Sequence, residues 1–205
     1  MSILVTAFDT YDTWQENSSW TALTEYLKEY GVAPDVITRR YPVDLQSMRN
    51  RLELDLARGI SGVIHLGQRP GAATLNLEAI CLNLDGSNAL PRAELEPLID
   101  GAPIAFRTAC PLSIWNERLR RAGVPSDISY HAGTYLCNAM MYLSHAWFAV
   151  RGLDVPVAFV HTPLTPTEAD RYGGKYSAMD PKILAEGVRI LIDSMRAIVT
   201  SRVVS

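Results

Sequence analysis

Cysteine is scarce in this chain. Three stand in 205 residues, at 81, 110 and 137, and no two form a CxxC pair. An odd count at wide spacing points to neither a zinc ribbon nor a disulfide scaffold. Net charge is small: 19 Lys and Arg against 22 Asp and Glu leave −3. So mild a balance gives no reason to expect nucleic acid or an acidic membrane surface as a partner. No apolar run approaches the roughly 20 residues of a membrane span. The start, MSILVTAFDT, is apolar only over residues 3–8. It has neither a basic leader nor a small-residue cleavage site, so no signal peptide is expected. Repeats, low-complexity segments and linkers are absent as well. Free thiols without a leader predict a cytoplasmic protein, because reducing conditions keep cysteines unpaired.

What is present reads as one domain, residues 1–205. Hydrophobic residues make up 48% and charged residues 20%, a soluble globular composition with enough chain to bury a core. Apolar runs at 3–8, 35–41, 61–67, 102–108, 125–130 and 155–161 read as strands. Between them, residues 20–31 read as a helix closed by Gly31, and residues 44–59 place Leu45, Met48, Leu52 and Leu56 at helical spacing. Pro111 opens a third helix. In a fourth, Leu136, Met140, Leu143, Trp147 and Val150 share one face. A last helix from Pro181 buries Leu184, Val188, Leu191, Met195 and Ile198. Residues 74–84 are apolar with a Glu inside, 85–102 look irregular, and 9–18 and 162–180 read as loops. Strands apolar on both faces, alternating with helices, predict an α/β fold. Its form is three-layer α/β/α, with a mostly parallel twisted sheet and helices on both faces.

In such a sheet, sites gather at the carboxyl ends of strands. Cys137 lies just inside the first turn of the fourth helix. Backbone N–H groups and the helix dipole there favour an anion, and a thiol so placed tends toward thiolate. Equally, a free cysteine is a small hydrophobe that packs a core. His161 ends an apolar strand, where it can act as base toward a thiol or serve as a cap. His131, close to the Cys137 turn, is the rival base. His65 reads as a core histidine with a backbone partner, and His145 as structural. Glu78 in apolar company needs a partner, either an imidazolium or a structural arginine. Cys81 and Cys110 read as packing residues.

The segment SYHAGTYLCNAMMY resembles the nucleophile segment Ser-Tyr-x-Ala-Gly-Thr-Phe/Tyr-x-Cys-Asn of the pyrrolidone-carboxylate (pyroglutamyl) peptidase I family of cysteine peptidases. AFVHTPLTP resembles that family's Gly-Phe-Ile-His-x-Pro strand. VIHLGQ followed by LNLEAICLNL resembles its Val-Gly-Gln and Glu-Arg-x-Ala-x-Asn. The resemblance covers nearly the whole chain. It implies Cys137 as nucleophile, His161 rather than His131 as base, and Glu78 as the orienting carboxylate. It also implies a pocket for a pyroglutamyl ring, built from Phe8, Tyr11, Asn17, Gln68, Tyr135 and Leu136.

By the same resemblance the reaction is removal of an N-terminal pyroglutamyl residue through an acyl-enzyme. The partner is a peptide with a blocked N-terminus, no metal or organic cofactor is needed, and the assembly is a homo-oligomer, a tetramer. Two rival readings stand beside it: a thiol amidohydrolase for another small acyl group, and a non-catalytic binding protein that keeps the pocket. The chain departs from the family motifs at Thr10, Asp12, Thr13, Arg69, Pro70, Ala72, Ala79 and Asn88. If Asp12 and Asn88 face the cleft, these changes predict repulsion of an anionic acyl group.

Overall fold

In the computed structural model, which describes residues 1–86 and 94–203, fourteen elements follow one another. They are β1 (Ile3–Phe8), α1 (Ser18–Tyr30), β2 (Val36–Tyr41), α2 (Leu45–Leu56), β3 (Gly62–Gln68), β4 (Leu75–Glu78), β5 (Ile80–Leu82) and β6 (Ala105–Arg107). There follow α3 (Leu112–Arg121), β7 (Ser126–Ser129), α4 (Leu136–Val150), β8 (Val157–Thr162), α5 (Pro166–Arg171) and α6 (Pro181–Val203). Local chemistry sets several boundaries. Asn17 caps α1 by accepting from Ser19 N at 3.1 Å, and Asp44 caps α2 through Ser47 N at 2.8 Å. Gly31 closes α1 at φ 74°, a left-handed conformation that glycine adopts without steric cost.

Six strands form one sheet in the order β2-β1-β3-β8-β4-β7. Every pairing in it is parallel except β4 with β8. Residues alternate between the sheet's two faces, and each face has its own core. On one side Ile3, Val5, Ile64, Leu66 and Val160 pack against α1, α3 and α6. On the other, Leu4, Phe8, Val63 and Phe159 pack against α2 and α4. The expected three-layer α/β/α arrangement is therefore the one observed. Among the described residues, no helix is long and apolar enough to cross a membrane.

Two local expectations need correction, and residues 74–84, read only as apolar, gain their elements. Helix α4 is not one-faced: Ala139, Met141, Tyr142, Ser144 and Phe148 are buried along with Leu136, Met140 and Leu143, whereas Val150 is exposed. It is enclosed because the sheet covers one side, and α2 and the β5–β6 hairpin cover others. Residues 162–180 are not all loop, since Thr165 caps α5 with Pro166 at its start. Residues 74–84 hold two strands in two different sheets, β4 in the main one and β5 in an antiparallel pair with β6.

Candidate active site

The carboxyl ends of β1, β3 and β8 and the start of α4 surround a cleft of about 300 Å³. Phe8, Tyr11, Asn17, Gln68, Tyr135, Leu136, Cys137 and His161 all line it. Residues distant in the chain are thus brought together as the sequence led one to expect. Glu78 is the exception in position: fully buried, it stands behind His161 and away from the cleft surface.

The antiparallel pairing of β4 with β8 explains how the carboxylate reaches the imidazole. Asn76 lies opposite His161 and Glu78 opposite Phe159. Glu78 and His161 are therefore diagonal neighbours on one face of the sheet. Glu78 Oε1 meets His161 Nδ1 at 2.7 Å, and the imidazole is itself buried. Arg69 Nη1 approaches the same oxygen at 3.4 Å. Both partners foreseen for Glu78, an imidazole and an arginine, are present. With Nδ1 engaged by the carboxylate, Nε2 is the ring nitrogen left to exchange a proton.

Cys137 is the second residue of α4, whose N-cap, Tyr135, makes no side-chain capping bond. The first helical bond runs from Ala139 N to Tyr135 O at 3.0 Å. The N–H groups of Leu136, Cys137 and Asn138 therefore precede the helix's own acceptors. The sulfur rests over Gly67, which pairs with His161 in the neighbouring strand. A Cβ at position 67 would lie 2.9 Å from Cys137 Sγ and 2.7 Å from Phe159 Cζ, so only glycine leaves room for the thiol. The thiol is not a resting thiolate. Burial first, and the Glu78 charge second, push it up to about 12, while the backbone N–H and Arg69 pull the other way. The thiolate expected from the helix start is thus corrected: desolvation outweighs the helix-end donors.

The cleft walls divide by role. Phe8 and Leu136 are buried apolar surface, and Tyr135 stands at the rim, 43% exposed. Tyr11 is raised to about 12, chiefly by burial, so it keeps its hydroxyl proton. Gln68 is held by Ser18 N, which donates to its Oε1 at 2.7 Å. Its Nε2 is buried, with no hydrogen-bond partner among the described residues, and the residue faces the cleft. Asn17 also lines the cleft, but its amide is engaged: Oδ1 caps α1, and Nδ2 donates to Asp9 O at 2.8 Å. It holds in place the loop that carries Tyr11. Asp12 and Thr13 are exposed and do not line the cleft. Asp12 therefore lacks the cleft-facing position that charge repulsion of an acyl group requires. It does adopt φ 51°, unusual for a residue other than glycine. Asn88 lies outside the described residues.

Other expectations sort as follows. Cys81 and Cys110 are buried, and burial raises their thiols to about 12 and about 11, as suits packing residues. His131 lines the cleft but is exposed, and its imidazole has no hydrogen bond among the described residues. His65 is buried, yet its partners are hydroxyls rather than backbone: Thr6 Oγ1 at 2.7 Å and Ser144 Oγ at 2.9 Å. Val43, Arg69, Pro70, Ala132 and Gly133 complete the lining. Arg69 had only been noted as a departure from a motif, since nothing in its spacing ties it to Glu78. Asn138, beside the thiol, was also missed. It accepts from Leu82 N at 2.8 Å and donates to Leu82 O at 2.9 Å, tying the start of α4 to β5. Among the described residues no group of three or more His, Cys, Asp or Glu side chains is arranged to hold a metal ion.

Comparison with known proteins bears on the chain as a whole. The model of the pyroglutamyl peptidase family matches residues 1–197. The pyrrolidone-carboxylate peptidase 1 of Ralstonia nicotianae is 33% identical over 202 residues, covering 94% of this chain and 92% of that protein. The pyrrolidone-carboxylate peptidase of Thermococcus kodakarensis is 31% identical over 174 residues, covering 82% and 84%. A solved pyrrolidone carboxyl peptidase from the hyperthermophile Pyrococcus furiosus superposes with a TM-score of 0.85 at 27% identity, covering 97% of this chain and 100% of that one. A chain matched along nearly its whole length, in sequence and in fold, belongs to the pyroglutamyl peptidase family of cysteine exopeptidases.

Proposed function

We propose that Cys137, His161 and Glu78 carry out this family's reaction, hydrolysis of the amide bond that follows an N-terminal pyroglutamyl residue. The observation that carries the assignment is the buried 2.7 Å pair of His161 Nδ1 and Glu78 Oε1, which opens on the same cleft as the Cys137 thiol. A thiol raised to about 12 must lose its proton as it attacks. His161 Nε2 takes that proton, and Glu78 stabilises the imidazolium. The sulfur attacks the pyroglutamyl carbonyl carbon, and the N–H groups at the start of α4 receive the oxyanion. The imidazolium then gives its proton to the leaving amine, and a thioester remains. Water, activated by the same imidazole, releases pyroglutamate and restores the thiol.

The lactam fits the cleft by chemistry. Phe8, Tyr11 and Leu136 offer the apolar walls that a flat, uncharged ring needs, and Gln68 Nε2 offers a donor for one of its oxygens. Asn17 and Tyr135 shape the loop and the rim. Family membership favours this reading over an amidohydrolase for another acyl group or a pocket without catalysis. The test is hydrolysis of a chromogenic pyroglutamyl amide by purified protein, with acetyl and free glutamyl amides in parallel. Release from the pyroglutamyl amide alone is the expected result, and release from another acyl amide in its place would overturn it. One domain, a homotetramer and a cytoplasmic location complete the proposal. A solution mass near that of the 22.7 kDa monomer would overturn the tetramer.

A further inference from the structure

We infer that Arg69 selects the leaving group, favouring substrates whose residue after the pyroglutamyl group carries a carboxylate. The inference rests on the reaction proposed above. Arg69 follows β3 directly, and its N–H donates to Thr162 O at 2.9 Å, fixing its backbone beside the end of β8. Its Nη1 reaches Glu78 Oε1 and Asn76 Oδ1, each at 3.4 Å. Both bonds are long and both use one nitrogen. Nε and Nη2 have no protein partner among the described residues, and the side chain is 43% exposed at the cleft. Of the described residues that line the cleft, Arg69 alone is Lys or Arg, and none is Asp or Glu.

Its side of the cleft decides what it meets. Arg69 sits against Glu78, the carboxylate that holds His161, and so on the imidazole side. The imidazolium must hand its proton to the departing nitrogen, which places the departing residue on that side too. The pyroglutamyl ring occupies the aromatic end, by Phe8 and Tyr11. A carboxylate on the departing residue would meet an arginine with free donors and no competing acid in the cleft. Charge balance adds a second effect. Once His161 is protonated, one carboxylate, Glu78, faces two cations. A substrate carboxylate on Arg69 relieves that excess in the transition state, so the preference acts on kcat as well as KM.

The carboxylate has two sources: the free α-carboxylate of a dipeptide, or an Asp or Glu side chain. The experiment measures kcat and KM for pyroglutamyl-alanine and its amide, and for pyroglutamyl-aspartate amide and pyroglutamyl-asparagine amide. In low salt at least one acid should exceed its neutral partner by about tenfold in kcat/KM, and the pair that does so identifies the source. The ratio should shrink in high salt and approach one in Arg69→Gln. Comparing two substrates on one enzyme cancels any general effect of the substitution on the chemistry. Should Arg69→Gln be too slow to measure, the salt dependence of the unaltered enzyme's ratio decides. Cleavage of all four substrates with ratios near one, or a ratio that survives Arg69→Gln or high salt, overturns the inference alone. Cleavage of none overturns the reaction and the inference together.

Discussion

Cys137→Ala should abolish hydrolysis while leaving the fold intact. Losing the nucleophile removes orders of magnitude in rate, whereas losing one sulfur's packing costs about 1 kcal/mol. Activity within about tenfold of the parent enzyme would remove Cys137 from the mechanism. Cys81→Ala and Cys110→Ala, away from the cleft, serve as controls. His161→Ala should be nearly as damaging, and the double variant no worse, because the two act as one unit. Glu78→Gln should be milder, since an amide still holds the ring. A fatal His131→Ala would reverse the choice of base. Gly67→Ala tests placement: its Cβ would press on Cys137 Sγ and on fully buried Phe159, so an ångström-scale shift of the sulfur should cost about a hundredfold in kcat/KM, and the overpacking should lower the melting temperature as well. The thiol's raised value, about 12, has its own signature. Thiolate is scarce at pH 7 and grows as pH rises, so iodoacetamide should label the free enzyme slowly, and faster at each more alkaline step. Labelling at pH 7 as fast as that of free glutathione would contradict the burial argument. Cys137, His161 and Glu78 were legible in the sequence through three separate segments, SYHAGTYLCNAMMY, AFVHTPLTP and LNLEAICLNL. Arg69 and Asn138 were not, because their partners lie on other elements and no local pattern records them.

Between elements, one buried imidazole joins β1, β3 and α4. His65 bonds Thr6 on one strand and Ser144 on the helix, and burial lowers it to about 3. Ser144 Oγ donates to Met140 O at 2.9 Å, so it accepts from His65 Nε2, and Nδ1 accepts from Thr6. The ring is neutral in the fold, whereas in the unfolded chain it gains a proton near pH 6.5. The unfolded state therefore binds more protons below that value. The contribution is complete above about pH 6.5, and stability falls as pH drops toward 3. At pH 5 the loss from this one group should be about 2 kcal/mol. Denaturant unfolding at pH 7 and pH 5 measures it against His65→Gln, which should narrow the difference; His145, lowered by burial to about 4, supplies a further part. A parent protein equally stable at both values would show that the ring is not held neutral. The helix and strand boundaries were largely legible from capping residues and apolar runs. The enclosure of α4 was not, since what covers its outer side, the antiparallel β5–β6 pair, joins segments far apart in the chain, and Asn138 ties the helix to it through Leu82.

On the scale of the whole molecule, alternation of strand and helix was enough to foresee three layers. The antiparallel entry of β4 was not foreseeable in the same way. A strand of four residues has no periodicity that states its direction, and that direction sets Glu78 beside His161. The same feature divides the machinery mechanically. Acid and base ride on adjacent strands of one sheet, locked in register, while the thiol rides on a helix laid across it. The sheet is the anvil and α4 the hammer: sliding the helix changes the sulfur-to-imidazole gap and leaves the imidazole-to-carboxylate bond untouched. Warming should therefore blunt the enzyme while its sheet is still whole. Activity should fall reversibly some degrees below the melting transition, with strand amides still protected from exchange, as would be expected of a tool whose two working parts lose alignment before either one breaks.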